Sequence, residues 1–402
     1  MRKVILVYQK APQEIITGGH LYEDKLAKGL ASLPETDVTI LSAPAANNLI
    51  AKILAPLRNL TLLRSLVSDT KPIVIFNSSK FLYFLPLAAV LRIKGIPTVA
   101  VHHHFLYNEV SGIRRPFYTI GEKIFLRLCR HIIAPSRFMR REIARIIGRK
   151  PAYIPTPCPE NRSGSAPENR SGRTPENRSG RTPVYTSAST PEYNPILKPV
   201  SAPEGDIDTS GSLHSDLAAN RAVKLLFTGT VEPRKGLIHA IKALDILNRK
   251  GIPFIFDIVG KCVNKDYLDR LKEEIAEYGL KDKIHFHGFV TREELKRFYS
   301  TADIYLFPSM QEGFGLSIAE AMGYGLPVTG FDNSAMPYIV NTGYNGILVP
   351  TADHARLAEA IIAIATNPDL HRTLSANALT TAAHLPRHTD FHRALTHFFT
   401  NI

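Results

Sequence analysis

The stretch Phe307–Gly330, FPSMQEGFGLSIAEAMGYGLPVTG, decides how the rest of the chain is interpreted. It includes the end of an apolar run, residues 302–307, which predicts a buried strand of a parallel sheet. The glycines at 313 and 315 predict a tight turn, after which a helix opens near Leu316 or Ser317. Glycine lets the backbone approach a ligand closely, and a helix start offers free N–H groups and the positive end of the helix dipole. The stretch therefore predicts a binding site for a phosphate or a cluster of sugar hydroxyls.

Two carboxylates flank this turn. Glu312 precedes it, and Glu320 follows eight positions later, in the first turn of the predicted helix. Neither can neutralise a phosphate, but both can accept hydrogen bonds from vicinal hydroxyls. Hydroxyl recognition is therefore assigned to the acids, and diphosphate recognition to backbone amides and cations.

The string E-G-F-G-L-x-x-x-E-A-M-x-x-G-x-P-V, residues 312–328, resembles the E-x7-E signature of the retaining glycosyltransferases of family 4, the group 1 family. A strand, a glycine turn and a helix with two acids also occur in unrelated α/β proteins. Here, however, Pro327 and Val328 extend the match into the next strand. The resemblance implies the α/β fold called GT-B, in which two doubly wound Rossmann-like domains face a central cleft.

A second match covers residues 229–236, GTVEPRKG, which follow a predicted strand and resemble the family's phosphate loop. The resemblance places Gly229 at the donor, and Arg234 and Lys235 on the donor diphosphate, whose charge they would stabilise as the glycosidic bond breaks. Many members have Arg at the position of Thr230, so Arg234 is expected to take over that role.

The remaining donor contacts in the second half also follow from the resemblance. Glu320 is expected to hold the ribose and Val290 to meet the base through backbone atoms. The donor sugar is assigned to Glu312 and to the backbone amides of Gly313, Phe314, Gly315 and Leu316.

In the first half, the pair Gly18-Gly19 resembles the family's N-terminal glycine loop, which faces the cleft. A predicted strand, Ile96–Val101, ends in three histidines, and the carboxyl ends of parallel strands face the ligand crevice. The family usually has a histidine six residues after the proline of this strand. That spacing selects His103, near the reacting carbon, with His102 as the second choice.

A metal cluster is the alternative interpretation of these histidines. Three consecutive residues do not converge easily on one ion, and no other set with ligand spacing appears in the sequence. We therefore predict no metal site and no cofactor, with a nucleotide-sugar donor as substrate.

Length and the alternation of strands and helices predict the domain organisation. The chain has 402 residues, which exceeds one ordinary domain. Residues 159–222 contain PENRSG octapeptides and a Pro-, Ser- and Thr-rich tract that cannot offset its ordering entropy, so a disordered linker is expected. It joins an acceptor-side domain over 1–158 to a nucleotide-sugar-binding domain over 223–385. By family resemblance, residues 386–402 form a helix that crosses back to the first domain.

The formal net charge of +13 is concentrated in the first half. Residues 1–158 contain 23 Lys and Arg against 9 Asp and Glu, a balance of +14. Residues 114–150 contain eleven basic residues against two acidic ones, with apolar residues between them at helical spacing. Two interpretations remain open: solvated helix faces, or attachment to an anionic membrane or an acidic acceptor. No nucleic-acid motif accompanies the charge, so nucleic acid is not a predicted partner.

Composition also bounds the location. No apolar run reaches the roughly 18 to 20 residues of a bilayer-spanning helix, and the N-terminus lacks the pattern of a signal peptide. Three scattered cysteines predict neither a disulfide frame nor a zinc site. These features predict a cytoplasmic protein. Of the two interpretations of the basic helices, membrane attachment would make it peripheral on the inner face of the cell membrane.

The family resemblance thus implies a retaining, metal-independent hexosyltransferase that acts in cell-surface glycan or glycolipid synthesis. It would move a sugar from a nucleotide diphosphate to a hydroxyl on a lipid-linked or anionic acceptor. The alternative is a nucleotide-sugar binding protein without turnover. The missing arginine at position 230 favours that alternative, whereas Lys235, Glu312 and His103 oppose it.

Overall fold

The computed structural model describes residues 2–9, 18–43, 71–78, 81–105, 112–158 and 221–402. Within these ranges the chain forms two parallel six-stranded sheets. This arrangement confirms the predicted pair of α/β domains. The octapeptides and nearly all of the predicted linker lie outside the described residues.

The first sheet has the strand order β2-β1-β3-β4-β5-β6. Its strands are β1 (Arg2–Gln9), β2 (Thr36–Ala43), β3 (Ile73–Asn77), β4 (Thr98–Val101), β5 (His131–Ala134) and β6 (Ala152–Tyr153). The accompanying helices are α1 (Gly18–Ala31), α2 (Phe81–Ile93), α3 (Arg114–Leu128) and α4 (Arg137–Ile147).

The second sheet has the order β12-β11-β10-β7-β8-β9. Its strands are β7 (Val223–Thr228), β8 (Phe254–Val259), β9 (Ile284–Gly288), β10 (Ile304–Phe307), β11 (Val328–Phe331) and β12 (Gly346–Val349). The helices are α5 (Leu237–Arg249), α6 (Lys265–Glu277), α7 (Arg292–Thr301), α8 (Leu316–Gly323), α9 (His354–Thr366), α10 (Pro368–His384) and α11 (His388–Thr400).

Strand β1 shows why the strands of this fold appear as continuous apolar runs. Val4 and Leu6 pack into one hydrophobic cluster, whereas Ile5 and Val7 pack into another on the opposite face of the sheet. Both faces are covered by helices, so successive side chains are buried although they point in opposite directions.

The last helix, α11, lies against the first sheet although it follows the second domain in the chain. Phe391, Leu395 and Phe399 are buried in the same cluster as Val4 and Leu6. This cluster covers the face of the sheet that α1 also covers. The last helix therefore forms part of the core of the first domain.

Helix α3 leaves most of one apolar face exposed to solvent. Phe125 is buried, but four others, spaced four, three and four residues apart, are between 45% and 95% exposed: Ile113, Phe117, Ile120 and Ile124. This spacing places them on one face of the helix. A row of exposed apolar side chains therefore runs along a helix that also carries the basic side chains of Arg114, Arg115, Lys123 and Arg127.

A close backbone approach joins the loops after β7 and β10. Gly236 has a φ of +65°, and a Cβ built on it would lie 2.0 Å from the carbonyl oxygen of Pro308. Only glycine combines this left-handed conformation with such a short approach. The loops that carry the two sequence motifs therefore meet at residue 236.

We predict that Gly236→Ala destabilises the chain more than Gly251→Ala does. Gly251 has nearly the same φ, +70°, but a Cβ there would meet no described atom within 4 Å. Gly251→Ala should carry only the left-handed backbone cost of about 1–2 kcal/mol, whereas Gly236→Ala adds the clash with Pro308. Thermal unfolding of both variants provides the comparison, and equal losses would contradict the close approach.

Candidate active site

The two motifs identified in the sequence lie on neighbouring strands. Strand β10 pairs with β7, so Gly229–Gly236 and Pro308–Gly315 leave the same edge of the sheet. The backbone N–H of Met310 donates to the carbonyl of Arg234 at 2.9 Å. Residues about eighty positions apart in the sequence thus form one site at the carboxyl ends of the strands, where ligands bind in such sheets.

A buried ion pair lies at the centre of this site. The ammonium of Lys235 lies 2.6 Å from Oε1 of Glu312, and both side chains are about one-tenth exposed. The Ser309 hydroxyl donates to the same carboxylate oxygen at 2.8 Å. Lys235 also lies over the ring of Phe307, 5.1 Å from its centroid, which adds a cation–π contact.

Burial alone would raise the pKa of Glu312, but Lys235 and then Arg234 lower it, and the pKa ends below its ordinary value. Glu312 is therefore an ionised acceptor at neutral pH. An acid in this state can accept hydrogen bonds from hydroxyls, as the sequence motif requires.

Arg234 is held on the rim of the site by a second acid that the sequence analysis did not select. Its guanidinium contacts Oε1 of Glu232 at 2.8 Å and Oε1 of Glu312 at 3.4 Å. Thr230, at the position where many family members have arginine, donates to Glu232 at 2.7 Å. Glu232 thus connects Thr230 and Arg234. The Arg234 guanidinium lies beside Lys235, where a cation that binds the donor diphosphate is expected.

Gly315, with a φ of +88°, is the N-cap of α8, so Leu316 begins the helix as predicted. Glu320 is the fifth residue of this helix, in its second turn and not its first. Phe314 and Leu316 are half-buried near the helix start. The first backbone amides of this helix, which have no partner within it, therefore lie directly after the loop that carries Glu312.

A network of buried hydroxyls orients Glu320. The Tyr299 hydroxyl donates to its carboxylate at 3.3 Å. Thr228 contacts the hydroxyls of both Tyr299 and Tyr305 at 2.8 Å. Burial raises the pKa of Glu320 above its ordinary value, partly offset by the bond from Tyr299. The tyrosines could not be assigned from sequence, because they come from the helix and strand that precede the motif.

His103 faces the Glu312 loop across the cleft. A Cβ built on Gly313 would lie 2.3 Å from the carbonyl oxygen of His103. The Ser136 hydroxyl, at the N-cap of α4, donates to the carbonyl of Gly313 at 2.6 Å. Two residues of the first domain, His103 and Ser136, therefore contact Gly313 of the second domain.

The second choice, His102, points into the core instead. Its side chain is fully buried, its Nδ1 lies 2.6 Å from the Ser78 hydroxyl, and its Nε2 lies 3.8 Å from Glu122. Burial lowers the pKa of His102 well below its ordinary value, so the imidazole is neutral. Strand β4 ends at Val101, so the three histidines follow the strand and do not alternate along it.

Glu23 of α1 is a site residue that the sequence analysis missed. Its carboxylate lies 3.8 Å from Nε2 of His103 and accepts a hydrogen bond from the side chain of Asn77. Burial raises its pKa from the ordinary 4.5 to about 7. The sequence could have indicated Glu23, because it lies on the helix that begins at Gly18-Gly19, a pair already expected to face the cleft.

Three other expectations concern the Gly18-Gly19 pair, Val290 and further metal-ligand sets. Gly18 and Gly19 were expected in a loop, but they are the first residues of α1. The contact of Val290 with the base stays a prediction; the residue follows the end of β9 at Gly288, at the edge of the second sheet. The sequence shows no further ligand-spaced set, but the structure places Asp257 of β8 beside His285 and His287 of β9. Sequence spacing could not show this group, since its acid comes from a neighbouring strand.

Two family models match the chain. The model for glycosyl transferases group 1 matches residues 214–381, and the model for glycosyltransferase family 4 matches residues 26–162. The chain belongs to the group 1 glycosyltransferases. The two matches cover both domains, including the residues of the E-x7-E signature.

Two curated relatives match part of the chain. The amylovoran biosynthesis glycosyltransferase AmsK of Erwinia amylovora is 33% identical over 151 residues, 36% of this chain and 36% of its own. The D-inositol 3-phosphate glycosyltransferase of Streptomyces bingchenggensis is 31% identical over 161 residues, 38% of this chain and 35% of its own. The matched stretches thus span about a third of the length of these relatives.

Similar solved structures extend over the whole chain. Anabaena Alr3699/HepE in complex with UDP and glucose aligns with a TM-score of 0.68 at 18% identity, over 99% of both chains. The sucrose-phosphate synthase of Thermosynechococcus elongatus aligns with a TM-score of 0.69 at 17% identity, over 100% of this chain and 99% of its own. With its two parallel six-stranded sheets, the chain has the GT-B fold, as predicted.

We predict that the stability of the chain falls as pH rises through the range in which Glu23 ionises. A carboxyl with a folded-state pKa near 7 and an unfolded pKa near 4.5 is protonated in the fold over this range. It therefore stabilises the fold below pH 4.5, and this contribution is lost as pH approaches 7. Glu23→Gln should remove a pH-dependent difference on the order of 3 kcal/mol.

Urea unfolding of the parent chain and Glu23→Gln between pH 5 and pH 8 measures this difference. Asp24→Asn, an adjacent and more exposed acid paired with Lys28, is the control. Parallel stability profiles for the parent chain and Glu23→Gln would show that Glu23 has no raised pKa.

Proposed function

We propose that this group 1 glycosyltransferase moves a hexose from a nucleoside diphosphate donor to a hydroxyl acceptor during glycan biosynthesis. The observation that carries the proposal is the buried Lys235–Glu312 pair beside the start of α8, with His103 opposite. This arrangement combines cations for a diphosphate, an ionised acid for sugar hydroxyls and a contact with the other domain. The role of AmsK in amylovoran biosynthesis supports a function in glycan biosynthesis.

Donor binding would exchange the partners of these charges. Lys235 and Arg234 are both paired with carboxylates, so the cluster is close to neutral before a diphosphate enters. A diphosphate would take over Lys235 and Arg234 as its partners, and Glu312 would then accept hydrogen bonds from the hydroxyls of the donor sugar. Glu320, oriented by Tyr299, would accept from the ribose.

The same charges would act during transfer. As the bond between sugar and diphosphate breaks, negative charge grows on the leaving oxygen, and Lys235, Arg234 and the free amides at the start of α8 stabilise it. These groups supply the electrostatic role that a metal has in other transferases, so we propose transfer without a metal. Retention of the anomeric configuration is proposed from the family resemblance alone.

A uridine diphosphate hexose is the first donor to test. Anabaena HepE was solved with UDP and glucose, and the pneumococcal O-GlcNAc transferase GtfA with UDP and GlcNAc. Transfer of a labelled sugar from UDP-glucose or UDP-GlcNAc to acceptors in a lipid extract would support the proposal. Saturable donor binding with no transfer to any acceptor offered would favour a binding protein without turnover.

We predict that Lys235→Ala lowers turnover by about 10²-fold or more, because a buried cation facing the developing anion is removed. Arg234→Ala should have a comparable effect if Arg234 has taken over the role of the arginine that many family members have at position 230. Lys250→Ala, an exposed lysine after α5, is the matched control and should leave turnover unchanged. Steady-state kinetics with the labelled donor measure all three variants, and full activity of Lys235→Ala would contradict the proposed role.

We further propose that the first domain docks on an anionic membrane, which carries a lipid-linked or anionic acceptor. Support comes from the exposed apolar row Ile113, Phe117, Ile120 and Ile124 on α3 and from the surrounding cations. Solvated helix faces rarely expose such a continuous apolar row, whereas interfacial helices require one. None of the helices in the described part of the chain has the length and apolarity needed to span a bilayer.

We predict binding to vesicles that contain phosphatidylglycerol and much weaker binding to pure phosphatidylcholine. Each basic side chain near an anionic surface contributes on the order of 1 kcal/mol. Salt at ~0.5 M shortens the screening length to below about 5 Å and should release the protein. Replacing Phe117 and Ile120 together by serine should weaken binding at low salt.

Ile93→Ser is the control, because Ile93 is equally apolar and more exposed, but lies at the end of a different helix. Vesicle co-sedimentation measures each variant at low and high salt. Equal binding to both vesicle types, or the same loss with Ile93→Ser, would contradict docking through α3.

A further inference from the structure

Three side chains with metal-binding atoms converge on the outer strands of the second sheet. Asp257 lies on β8, and His285 and His287 lie on the adjacent edge strand β9. The candidate ligand atoms of all three lie within 4.8 Å of one another. Oδ1 of Asp257 lies 2.7 Å from Nε2 of His287 and 3.6 Å from Nδ1 of His285. The group is separate from Lys235 and Glu312, which lie on the segments that follow β7 and β10.

The geometry of the strand pair explains this convergence. Asp257 pairs with His285, so their side chains lie on the same face of the sheet. The register then shifts: Ile258 pairs with Phe286, but Val259 pairs with Gly288, which leaves His287 as an extra residue on β9. Because of this bulge, β9 advances two residues while β8 advances one. His287 therefore stays within reach of Asp257, as bulges often redirect a side chain.

The environment allows entry of an ion. The three side chains are between 21% and 42% exposed, and the ring of His287 is supported by Phe298 of α7 at a centroid distance of 4.5 Å. Two imidazoles and one carboxylate suit a borderline transition metal such as Zn²⁺, whereas Mg²⁺ prefers oxygen ligands. Zn²⁺ bound by three protein groups completes its coordination with water.

We propose that Asp257, His285 and His287 form a binding site for Zn²⁺ or a similar transition-metal ion. The ion would join β8 to β9 at the bulge and stabilise the edge of the donor-binding domain. The bulge leads directly into Gly288, whose carbonyl accepts a hydrogen bond from the N–H of Gly260 at 2.8 Å. A bound ion would therefore fix the strand end that precedes Val290, and it takes no part in sugar transfer.

Titration of the full chain with Zn²⁺ after removal of bound metals and of any affinity tag tests the proposal. We expect one equivalent bound, together with a rise in the unfolding temperature that grows with free Zn²⁺. His287→Ala and His285→Ala should each weaken binding by about tenfold or more, because one of three protein ligands is lost. Asp257→Asn should also weaken binding. Millimolar Mg²⁺ should not compete.

The control is His397→Ala, which removes an exposed histidine from α11 and should leave binding unchanged. Co²⁺ in place of Zn²⁺ separates this site from binding by the free cysteines, because thiolate ligands add an intense charge-transfer band that histidine and carboxylate ligands lack. His287→Gln keeps a side chain that can bond to Asp257 and serves if the alanine variants unfold. Absence of binding by the parent chain, or undiminished binding by the double variant His285→Ala/His287→Ala, would overturn the proposal.

Discussion

The donor side of this molecule depends on a buried ion pair, Lys235 with Glu312. Each charge is a buried counter-ion of the other, and removing one without a replacement partner would cost about 3–5 kcal/mol. The pair therefore holds together two loops that leave adjacent strands. The contact of Gly236 with Pro308 and the bond from Met310 to Arg234 fix the same loops through their backbones. The start of α8 and its free amides follow from that geometry.

Much of this architecture could be predicted from the order of residues along the chain. Strands buried on both faces appear as apolar runs, and Gly315 marks the beginning of α8 because it adopts a left-handed conformation. Local patterns of this kind involve neighbours in sequence. Even so, a pattern of two glycines was compatible with both a loop and a helix start, and Gly18-Gly19 proved to be the latter.

Contacts across the sheet could not be predicted in the same way. Glu23 comes to His103 from another element, and Asp257 comes to His285 from a neighbouring strand. The order of the strands in the sheet determines which of these distant residues meet, and a single sequence does not show that order directly. The exposed side of α3 shows the same limit, because helical spacing places Phe117 and Ile120 on one face but does not reveal whether anything covers that face.

The position of the last helix bears on how the chain is made. Phe391, Leu395 and Phe399 of α11 complete a core whose other side chains include Val4 and Leu6, close to the other end of the sequence. A ribosome delivers residues 388–400 after both sheets have been synthesised, so the part of this face that α1 does not cover stays exposed until then. The second domain contains its own large core and can close earlier. The first domain is therefore synthesised first but completes its core last. Until then its exposed apolar side chains are a substrate for chaperones.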